Sequence, residues 1–367
     1  LPQWALDPRL LSVVADGFAL WRSHKRFEGT FSLAFRLRHL AICAASFKEG
    51  ARLKCYLRIQ DGTVNSQIAD VQVSDGNGSL QLALYGYEEL TERVPVEYCR
   101  LVLSPSESYL TQPLGPELLG SPATAISSAL VTDIPYGIFE RNSELWLKTM
   151  SHIVLGKGER RAFREMTGTA QRRTEWLFGR IVAKEAVRRF VKENCQARWS
   201  SADIQIWADD QGKPHAIGAW SDNLKARLDV AISHTRDFVV AVVASNARVG
   251  VDAELASRDL SEEFTNGVFS KDELELAAES SDAPSTLIRF WCAKEAVSKA
   301  LGTGIRYSPR ELVAESFDVS TGEIAVALDG QWLDAFKAFK GRPVRVKTAL
   351  VKGHVLASCF VPETFFS

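Results

Sequence analysis

Hydrophobic residues near the start of the chain recur at helical spacing, and those that follow alternate with polar residues. The apolar positions of Arg9–Trp21 fall on one face of a helix, so this segment predicts a helix with one buried side. Apolar and polar residues then alternate in Phe31–Arg38, Arg52–Ile59 and Gln67–Val73, which is the spacing of half-buried strands. We therefore predict one helix followed by an antiparallel sheet that wraps around it.

A strong turn sequence joins the last of these strands to the next one. Asp75-Gly76-Asn77-Gly78 separates Val71–Val73 from the apolar run Leu80–Tyr85. Asn and Gly tolerate the left-handed backbone that tight hairpin turns require. The sequence therefore predicts a β-hairpin across this turn.

The amino-acid composition of the chain changes between residues 104 and 136. This stretch mixes Ser, Gly and Thr with five prolines and shows no sustained periodicity; the prolines are Pro105, Pro113, Pro116, Pro122 and Pro135. Such a composition is typical of a linker or of a loop lying on the surface. We predict an N-terminal domain over 1–103, a linker over 104–136 and a second domain over 137–367.

The second domain contains a short internal sequence repeat. Ala183–Val187 and Ala293–Val297 have the same sequence, Ala-Lys-Glu-Ala-Val, and both lie in a helical pattern. Strand patterns follow each copy, at Ile204–Trp207, Leu228–Ile232 and Phe238–Ala244, and again at Ile324–Ala327, Val344–Leu350 and Val355–Phe360. Two similar halves predict a two-lobed body with pseudo-twofold symmetry and a cleft. Chance recurrence is the alternative, because Ala, Lys, Glu and Val are common in helices.

Composition and charge narrow the class of protein. The length of 367 residues has room for two domains, and the formal net charge of -1 gives no sign of non-specific nucleic-acid binding. We find no apolar run long enough to span a membrane and no secretory signal. The six cysteines form no CxxC pair, so we expect reduced thiols in a cytoplasmic protein and no zinc site. Leu1 in place of an initiating Met suggests a piece of a longer polypeptide or an artificial start.

A buried strand pattern ends in two acidic residues, Asp252 and Glu254. Residues two apart on a strand face the same way, so these carboxylates project side by side. Glu295 lies on a helix predicted to begin near Thr286, and Lys299 lies one turn further along the same face. If this helix packs on the strand, three carboxylates converge, and such hard oxygen ligands suit Mg²⁺ together with phosphate oxygens.

Each of these features also has an ordinary structural explanation. Glu295 and Lys299 stand at i, i+4, which is the spacing of a common salt bridge on helix surfaces. An Asp-x-Glu sequence at the end of a strand is often a solvated edge, as short motifs have a high false-positive rate. The combination favours a functional site because the sequence around both motifs fits one known family.

Val249–Glu254 followed by Phe290–Gly302 resembles the surfactin-type phosphopantetheinyl transferases. The signature of that family is a G-[IV]-D-x-E strand followed by W-x-x-K-E-A-x-x-K-x-x-G. Three further segments are similar to the family's N-x-S-H-S segment, its G-K-P turn and its first-half helix; they are Ile232–Thr235, Gly212–Pro214 and Trp176–Lys184. The resemblance covers roughly Leu145 to Val361.

This resemblance implies an enzyme that moves the phosphopantetheine arm of coenzyme A onto a serine of an acyl carrier protein domain. It implies that Asp252, Glu254 and Glu295 bind Mg²⁺ together with the pyrophosphate of coenzyme A. Lys299 would hold the same phosphate charge, and Glu295 or a water that it orients would take the serine proton. The expected partners are thus coenzyme A and a carrier protein.

The resemblance also implies a set of contacts to coenzyme A. His234 matches the family's phosphate-contacting histidine, although a lone histidine is often a core residue with satisfied hydrogen bonds. Arg180 and Lys184 on the first-half helix, with Lys213 in the turn, would meet the 3'-phosphate. Lys294, which precedes the helix glutamate, is also expected to bind the coenzyme.

The N-terminal domain resembles a different family. Trp4–Ser12 is similar to the helix start of the second hot-dog fold in polyketide synthase dehydratases, and the stretch from Ile68–Val71 through the Asp75–Gly78 turn is similar to that fold's long hairpin. The resemblance covers about residues 1–103. It implies an α+β chain, with a hot-dog-like domain followed by a pseudo-twofold, two-lobed transferase fold. Ser12 replaces the family's catalytic Asp and Asp16 lies one turn later, so we expect a degenerate half or a support.

Three hypotheses of different class follow from the sequence. The leading one is a transferase at the C-terminal end of a polyketide or fatty-acid megasynthase. The second is a dehydratase acting on 3-hydroxyacyl carrier substrates, against which Ser12 argues. The third is a non-catalytic docking module of a megasynthase, against which the intact set of three acids and Lys299 argues.

Overall fold

A computed structural model describes residues 13–18, 20–21, 30–43, 50–62, 65–93, 95–120, 126–140, 144–195, 198–224, 227–235 and 237–366. The chain divides into two compact units, Leu1–Cys99 and Arg100–Ser367. The second unit begins a few residues before the predicted end of the N-terminal domain at 103. No helix in these ranges is long and apolar enough to cross a membrane.

The first unit is a helix packed on an antiparallel sheet. Its helix, α1, includes residues 13–18 and 20–21. The strand order is β1-β5-β4-β3 with β2 also paired to β5, and the strands are β1 (Thr30–Arg36), β2 (His39–Ile42), β3 (Lys54–Gly62), β4 (Ser66–Ser74) and β5 (Leu80–Arg93). Val14 and Phe18 from the helix join Val71 and Leu82 from the sheet in one buried cluster. The predicted helix and strands are confirmed within the described ranges.

The predicted hairpin is also confirmed, because β4 and β5 pair antiparallel across the Asp-Gly-Asn-Gly turn. Asp75 Oδ1 accepts hydrogen bonds from the backbone N–H groups of Asn77 at 2.9 Å and Ser79 at 3.0 Å. Gly78 has a φ of +88°, which glycine adopts without strain. The carboxylate and the glycine together set the end of the hairpin.

The hot-dog identity of this unit stays a prediction. The segment Trp4–Ser12 lies outside the described residues, as does the whole sequence between α1 and β1, 22–29. Ile68–Val71 lies within β4, and Asp16 is exposed on α1. A helix on an antiparallel sheet agrees with the α+β class.

The second unit contains two halves in which a long helix packs on a sheet. In the first half, α7 (Ala170–Cys195) covers the sheet β6-β10-β9, whose strands are β6 (Ile126–Thr132), β10 (Phe238–Ser245) and β9 (Leu228–Thr235). In the second, α10 (Ala283–Leu301) covers the sheet β11-β15-β14-β13-β12, whose strands are β11 (Ala247–Leu255), β12 (Leu312–Asp318), β13 (Glu323–Leu328), β14 (Val344–Val351) and β15 (His354–Pro362).

The other elements are shorter. A separate hairpin consists of β7 (Gln205–Ala208) and β8 (Pro214–Ile217). The remaining helices are α2 (Val96–Leu103), α3 (Pro116–Leu119), α4 (Tyr136–Glu140), α5 (Leu145–Val154), α6 (Lys157–Glu165), α8 (Glu262–Val268), α9 (Lys271–Ala278) and α11 (Gly330–Ala335). The helix predicted to begin near Thr286 is α10, which begins at Ala283 because Asp282 caps it by accepting from Ser285 N.

The two halves follow the same strand order. In the first half the sheet has the order β6-β10-β9, and β8 of the separate hairpin packs beside β9; in the second half the order is β11-β15-β14-β13-β12. Along the chain, β6 therefore corresponds to β11, β10 to β15 and β9 to β14, with the hairpin corresponding to β13 and β12. This order is the one expected of the predicted internal repeat.

The predicted linker over 104–136 is wrong for residues 126–132. These residues form β6, which is buried along most of its length and pairs antiparallel with β10 from Thr132↔Phe238 to Ile126↔Ala244. Ser127 and Ser128 are both buried, so the strand lacks the continuous apolar run by which a buried strand is recognised. The second unit thus begins at Arg100 and not near residue 137.

The helix α10 lies directly on β11 because Gly250 has no side chain. A Cβ at Gly250 would lie 1.7 Å from the carbonyl oxygen of Ala296 and 2.9 Å from the amide nitrogen of Ala300. Both alanines are fully buried, as is Ala293 on the same helix face. Small residues on the helix and a glycine on the strand thus allow the two backbones to touch.

We predict that Gly250→Ala lowers the free energy of unfolding by about 1–3 kcal/mol or more, because the added methyl group must push α10 away from β11. Urea unfolding followed by circular dichroism measures the change. Gly267→Ala is the matched control, since a Cβ there meets nothing within 4 Å. The control is expected to leave the stability unchanged or to raise it. Equal unfolding free energies for Gly250→Ala and the parent chain would contradict the close approach.

Candidate active site

The acidic residues of β11 face the helix α10. Lys299 Nζ lies 2.7 Å from Asp252 Oδ1, and Trp291 Nε1 donates to Glu254 Oε1 at 3.4 Å. Trp291, Glu295 and Lys299 follow one another at single-turn spacing on α10, so Glu295 lies between these two contacts. The prediction that Asp252 and Glu254 project side by side toward this helix is confirmed.

Asp252 has one satisfied and one unsatisfied carboxylate oxygen. The residue is 6% exposed, and its Oδ1 accepts hydrogen bonds from Lys299 Nζ and from Ser233 Oγ at 2.8 Å. Its Oδ2 is buried and has no hydrogen-bond partner among the described residues. A buried carboxylate oxygen without a partner carries a desolvation cost, which a bound cation would offset.

The surroundings raise the pKa of the Glu295 carboxyl to about 6. Burial is the largest cause, and the charges of Asp252 and Glu254 add to it, whereas Lys299 opposes it. Burial lowers the pKa of Lys299, but the charges of Asp252 and Glu295 outweigh burial and raise it. Three carboxylates therefore share a region of low polarity, in which Lys299 supplies positive charge.

The carboxylate of Glu254 is paired with an arginine side chain. Arg258 forms a salt bridge with Glu254 Oε1, the same oxygen that accepts from Trp291. Within the described ranges, no group of three His, Cys, Asp or Glu side chains is arranged to hold a metal ion. The predicted trio of Asp252, Glu254 and Glu295 is thus brought to one face without being assembled as a ligand set.

The donors nevertheless fit a hard divalent cation. Asp252 offers a buried oxygen that lacks a partner, and Glu295 offers a carboxylate beside it. Burial is also the main cause that raises the pKa of the Cys292 thiol well above its usual value, so this neighbour stays protonated and is no competing thiolate ligand. An oxygen-only donor set of this kind is typical of Mg²⁺.

A cavity of about 180 Å³ adjoins Lys299 and the turn between β7 and β8. Lys213, Pro214 and Ile232 also line it. The turn is closed by Asp209, whose Oδ1 accepts from the backbone N–H of Lys213 at 2.9 Å. The predicted G-K-P turn therefore forms part of the wall of a cleft that reaches Lys299, the salt-bridge partner of Asp252.

A second cavity, of about 290 Å³, shares Gly212, Pro214 and Ile232 with the first and contains Arg180 and His234. Because three residues line both cavities, they are adjoining parts of one cleft. We refer to the part around Arg180 and His234 as the basic end of the cleft.

Arg180 carries an unused donor at the basic end. Its guanidinium carbon lies 4.2 Å from the ring centroid of Trp176, and its Nε is buried without a hydrogen-bond partner among the described residues. Burial lowers the pKa of Arg180, and the charge of Glu159 opposes that effect. His234 is exposed on β9 and lines the same cavity, as does Arg172. Donors of this kind around a cavity suit an anion.

Lys213 is already paired within the protein. Its Nζ lies 2.8 Å from Asp229 Oδ2 and donates to the carbonyl oxygen of Lys299 at 3.2 Å. Asp229 Oδ2 also accepts from the N–H of Val249 at 2.7 Å. Lys213 therefore ties the turn to the end of α10 and the start of β11. Since Asp229 balances its charge, the predicted contact to a 3'-phosphate gains no support from this geometry.

The structure contradicts the prediction that Lys184 binds coenzyme A. The side chain is fully buried, and its ammonium donates to Val154 O at 2.8 Å, to Ser201 O at 3.1 Å and to Glu159 Oε2 at 2.5 Å. All three of its protons are used, so none remains for a ligand. The i, i+4 spacing from Arg180 shows that the two share a side of α7, but it does not show that this side meets solvent.

Lys294 occupies the equivalent position in the second half, and its predicted contact to the coenzyme is likewise contradicted. It is fully buried, and its ammonium donates to Val268 O at 2.8 Å, to Glu273 Oε2 at 2.9 Å and to Pro309 O at 3.1 Å. As in the first half, the partners are two carbonyl oxygens and one carboxylate. Lys294 therefore supports the helix that carries Glu295 and Lys299.

The glutamates of the two lysine clusters also match. Glu159 and Glu273 each stand at the third position of a helix and accept from the backbone N–H that begins it. The other oxygen of each glutamate accepts a hydrogen bond from the backbone of a strand. Glu159 Oε1 accepts from Ile206 N of β7 at 3.0 Å, and Glu273 Oε1 accepts from Ala314 N of β12 at 2.8 Å. The repeated Ala-Lys-Glu-Ala-Val sequence thus marks a buried structural motif, which we call the lysine clamp.

We predict that Lys184→Met and Lys294→Met each destabilise the protein by about 3–5 kcal/mol, because each leaves a buried carboxylate unpaired. Thermal and urea unfolding measure the loss. Lys192→Met, at an exposed position on α7, is the matched control and is expected to have little effect. A clamp variant as stable as this control would show that the lysine is not structural.

Several relevant residues were not singled out from the sequence. Ser233, next to His234, contacts both Asp252 and Lys299. Arg258, four residues after Glu254 in the sequence, forms a salt bridge with that glutamate. The signal for Ser233 was its place in the segment that resembles the family's N-x-S-H-S sequence, whereas Arg258 belongs to no motif.

Comparison with known proteins identifies the class. Residues 248–358, which contain the acidic strand and α10, match the family model of the 4'-phosphopantetheinyl transferase superfamily. The holo-[acyl-carrier-protein] synthase of Geobacillus sp. (strain WCH70) is 36% identical over 106 residues, which are 28% of this chain and 85% of that protein. The chain therefore belongs to the 4'-phosphopantetheinyl transferase superfamily and is an enzyme of that class.

Other relatives give similar figures. The holo-[acyl-carrier-protein] synthase of Bacillus cereus (strain G9842) is 36% identical over 97 residues, which are 26% of this chain and 76% of that protein. A crystal structure of the holo-(acyl-carrier-protein) synthase from Bacillus anthracis str. Ames, in complex with CoA (3',5'-ADP), is 26% identical and covers 34% of this chain and 97% of that one. Its TM-score is 0.26, which is too low to bear on the fold.

Proposed function

We propose that this chain transfers phosphopantetheine from coenzyme A to a serine of an acyl carrier protein domain, releases adenosine 3',5'-bisphosphate and requires Mg²⁺. Membership of the transferase family supports the reaction. The observation that carries the proposal is the unpaired Asp252 Oδ2 beside Glu295 and Lys299, next to a cleft whose other end is basic. The curated relatives are synthases of holo-acyl carrier protein, which agrees with this substrate.

The cleft offers positive charge at two separate places, and coenzyme A carries phosphate groups at two separate places. Lys299 would hold the pyrophosphate where the cleft meets Asp252. Arg180 and His234 would hold the 3'-phosphate at the basic end, where the unused Nε of Arg180 is available as a donor. This assignment leaves Lys213 as a support of the turn between the two ends.

Asp252 and Glu295 would hold the Mg²⁺, with Glu254 as a neighbouring carboxylate. Bound there, the ion would neutralise charge that develops on the pyrophosphate oxygens. Lys299 contributes to the same task directly, as its ammonium is already held at the site by Asp252 at 2.7 Å. Fixed charges in a partly buried cleft act more strongly than the same charges in water.

In the reaction, the serine oxygen forms a bond to the β-phosphorus while the bond from that phosphorus to the bridging oxygen breaks. The bridging oxygen leaves with adenosine 3',5'-bisphosphate, and the serine proton must pass to a base. The candidate base is Glu295 or a water that it orients, because Glu295 is a partly buried carboxylate near Asp252 and Glu254 on the face that α10 presents to β11. Lys299 stabilises the charge on the leaving group.

Mass spectrometry of a carrier protein tests the function. An apo carrier incubated with the chain, coenzyme A and Mg²⁺ is expected to gain one phosphopantetheine group on its serine, and excess chelator is expected to abolish the gain. An unchanged carrier mass would contradict the transferase reaction. Full activity in excess chelator would contradict the metal requirement and leave the transfer reaction standing.

We predict that Asp252→Asn and Glu295→Gln each lower kcat by about a hundredfold or more, because each weakens the binding of the cation that would stabilise the transition state. Both substitutions preserve shape, but Asp252→Asn also removes the salt bridge to Lys299, so circular dichroism and the melting temperature are used to show that each variant is folded. Glu315→Gln, at an exposed position on β12, is the matched control. Near-normal turnover by a folded Asp252→Asn or Glu295→Gln variant would remove that residue from the site.

We predict that Arg180→Met raises KM for coenzyme A by about tenfold to a hundredfold, which corresponds to a lost charge-assisted hydrogen bond. KM for dephospho-coenzyme A, which lacks the 3'-phosphate, should change far less. Arg161→Met, at an exposed position on α6, serves as the control. Equal effects on the two substrates would show that Arg180 meets another part of the coenzyme.

The finer setting that we propose is a polyketide or fatty-acid megasynthase whose carrier domain is the acceptor. Support comes from the N-terminal unit, in which a helix on an antiparallel sheet agrees with a degenerate dehydratase-type hot-dog support. Asp16 is exposed on α1, which gives no support to an active dehydratase. Comparing kcat/KM for polyketide, fatty-acid and peptide-synthetase carrier domains tests this setting, which predicts preference for one of the first two.

A further inference from the structure

Ser233 stands where three elements meet. It lies on β9 and is 4% exposed. Its Oγ donates to Asp252 Oδ1 at 2.8 Å and accepts from the backbone N–H of Ala253 at 3.2 Å and from Lys299 Nζ at 3.3 Å. A serine hydroxyl has one proton to donate and two lone pairs to accept with, so the whole capacity of Ser233 is used.

These contacts determine which oxygen of Asp252 is open. Ser233 and Lys299 both donate to Oδ1, and Oδ2 is left buried without a partner among the described residues. A half-turn of the carboxylate only exchanges two equivalent oxygens, whereas any intermediate orientation would break both hydrogen bonds. The hydroxyl of Ser233 therefore holds Oδ2 as the free acceptor of the site.

The same serine joins the two halves of the second unit. It belongs to β9 in the first half, whereas Asp252 and Lys299 lie on β11 and α10 in the second. The next residue on β9 is His234, which lines the basic end of the cleft with Arg180. Two consecutive residues of β9 thus serve both parts of the site: Ser233 contacts Asp252 and Lys299, and His234 lines the basic end.

We propose that Ser233 is a positioning residue for the transferase reaction. It orients the carboxylate of Asp252 so that Oδ2 is presented to the divalent cation, and it keeps the ammonium of Lys299 beside Oδ1. Because it is almost fully buried, Ser233 acts through Asp252 and Lys299 and does not touch the substrate. This inference rests on the proposed function, since it concerns the cation and the reaction proposed above.

The test compares Ser233→Ala with a buried serine elsewhere in the same unit. Ser358 on β15 is 1% exposed and donates to the carbonyl oxygen of Leu119 at 2.9 Å, so Ser358→Ala removes a buried hydrogen bond of the same unit that does not involve Asp252 or Lys299. Mn²⁺ binding in the presence of coenzyme A, followed by electron paramagnetic resonance, measures the cation site without turnover. The Mg²⁺ concentration for half-maximal activity and KM for coenzyme A complete the comparison.

Ser233→Ala is expected to weaken Mn²⁺ binding and to raise the half-saturating Mg²⁺ concentration by about tenfold to a hundredfold, as loss of a group that orients a metal ligand does. KM for coenzyme A at saturating Mg²⁺ should change much less. Ser358→Ala should lower the melting temperature and leave both cation measurements unchanged. Ser233→Cys, with a weaker donor and acceptor, should fall between the parent chain and Ser233→Ala.

Unchanged Mn²⁺ binding by folded Ser233→Ala would overturn the inference, and so would an equal loss in Ser358→Ala. If Ser233→Ala does not fold, Ser233→Cys decides, because parent-like Mn²⁺ binding by that variant would also overturn it. Failure of the proposed function would look different: the parent chain would leave the carrier unmodified, while the ranking of Mn²⁺ affinities would still test Ser233.

Discussion

The contact between the backbones of β11 and α10 at Gly250 is the constraint on which the candidate site depends. Without a side chain at that position, the helix lies against the strand and brings Lys299 to 2.7 Å from Asp252. The same closeness buries the carboxyl of Glu295 and raises its pKa to about 6. A site with this much negative charge in a region of low polarity needs positive charge, which Lys299 supplies in part.

The two halves of the second unit use one scaffold in different ways. Each has a lysine clamp, and each clamp lysine is followed by a glutamate, Glu185 or Glu295. In the first half that glutamate is engaged by Ser108 and Arg188. In the second half the glutamate lies beside Asp252, whose Oδ2 has no partner among the described residues. The duplicated framework thus holds one glutamate in a salt bridge and the other in the electrostatic field of Asp252, Glu254 and Lys299.

The sequence predicted the parts of the structure that depend on local pattern. The hairpin after β4, the strands around the acidic motif and the shared face of Asp252 and Glu254 follow from spacing and turn chemistry. The burial of Lys184 and Lys294 could not be predicted, because their partners come from helices distant in the chain. The strand β6 could not be predicted for a similar reason. Its serines are polar, and only pairing with β10, which is distant in the chain, buries them.

A crystal structure of the chain with coenzyme A and Mn²⁺ is the decisive measurement, since anomalous scattering locates the metal without reference to activity. We expect a Mn²⁺ peak within coordination distance of Asp252 Oδ2 and a Glu295 oxygen. We also expect the 3'-phosphate beside Arg180 and His234, with the clamp lysines still buried. A metal bound away from Asp252, or a 3'-phosphate held at the opposite end of the cleft, would contradict the proposed site.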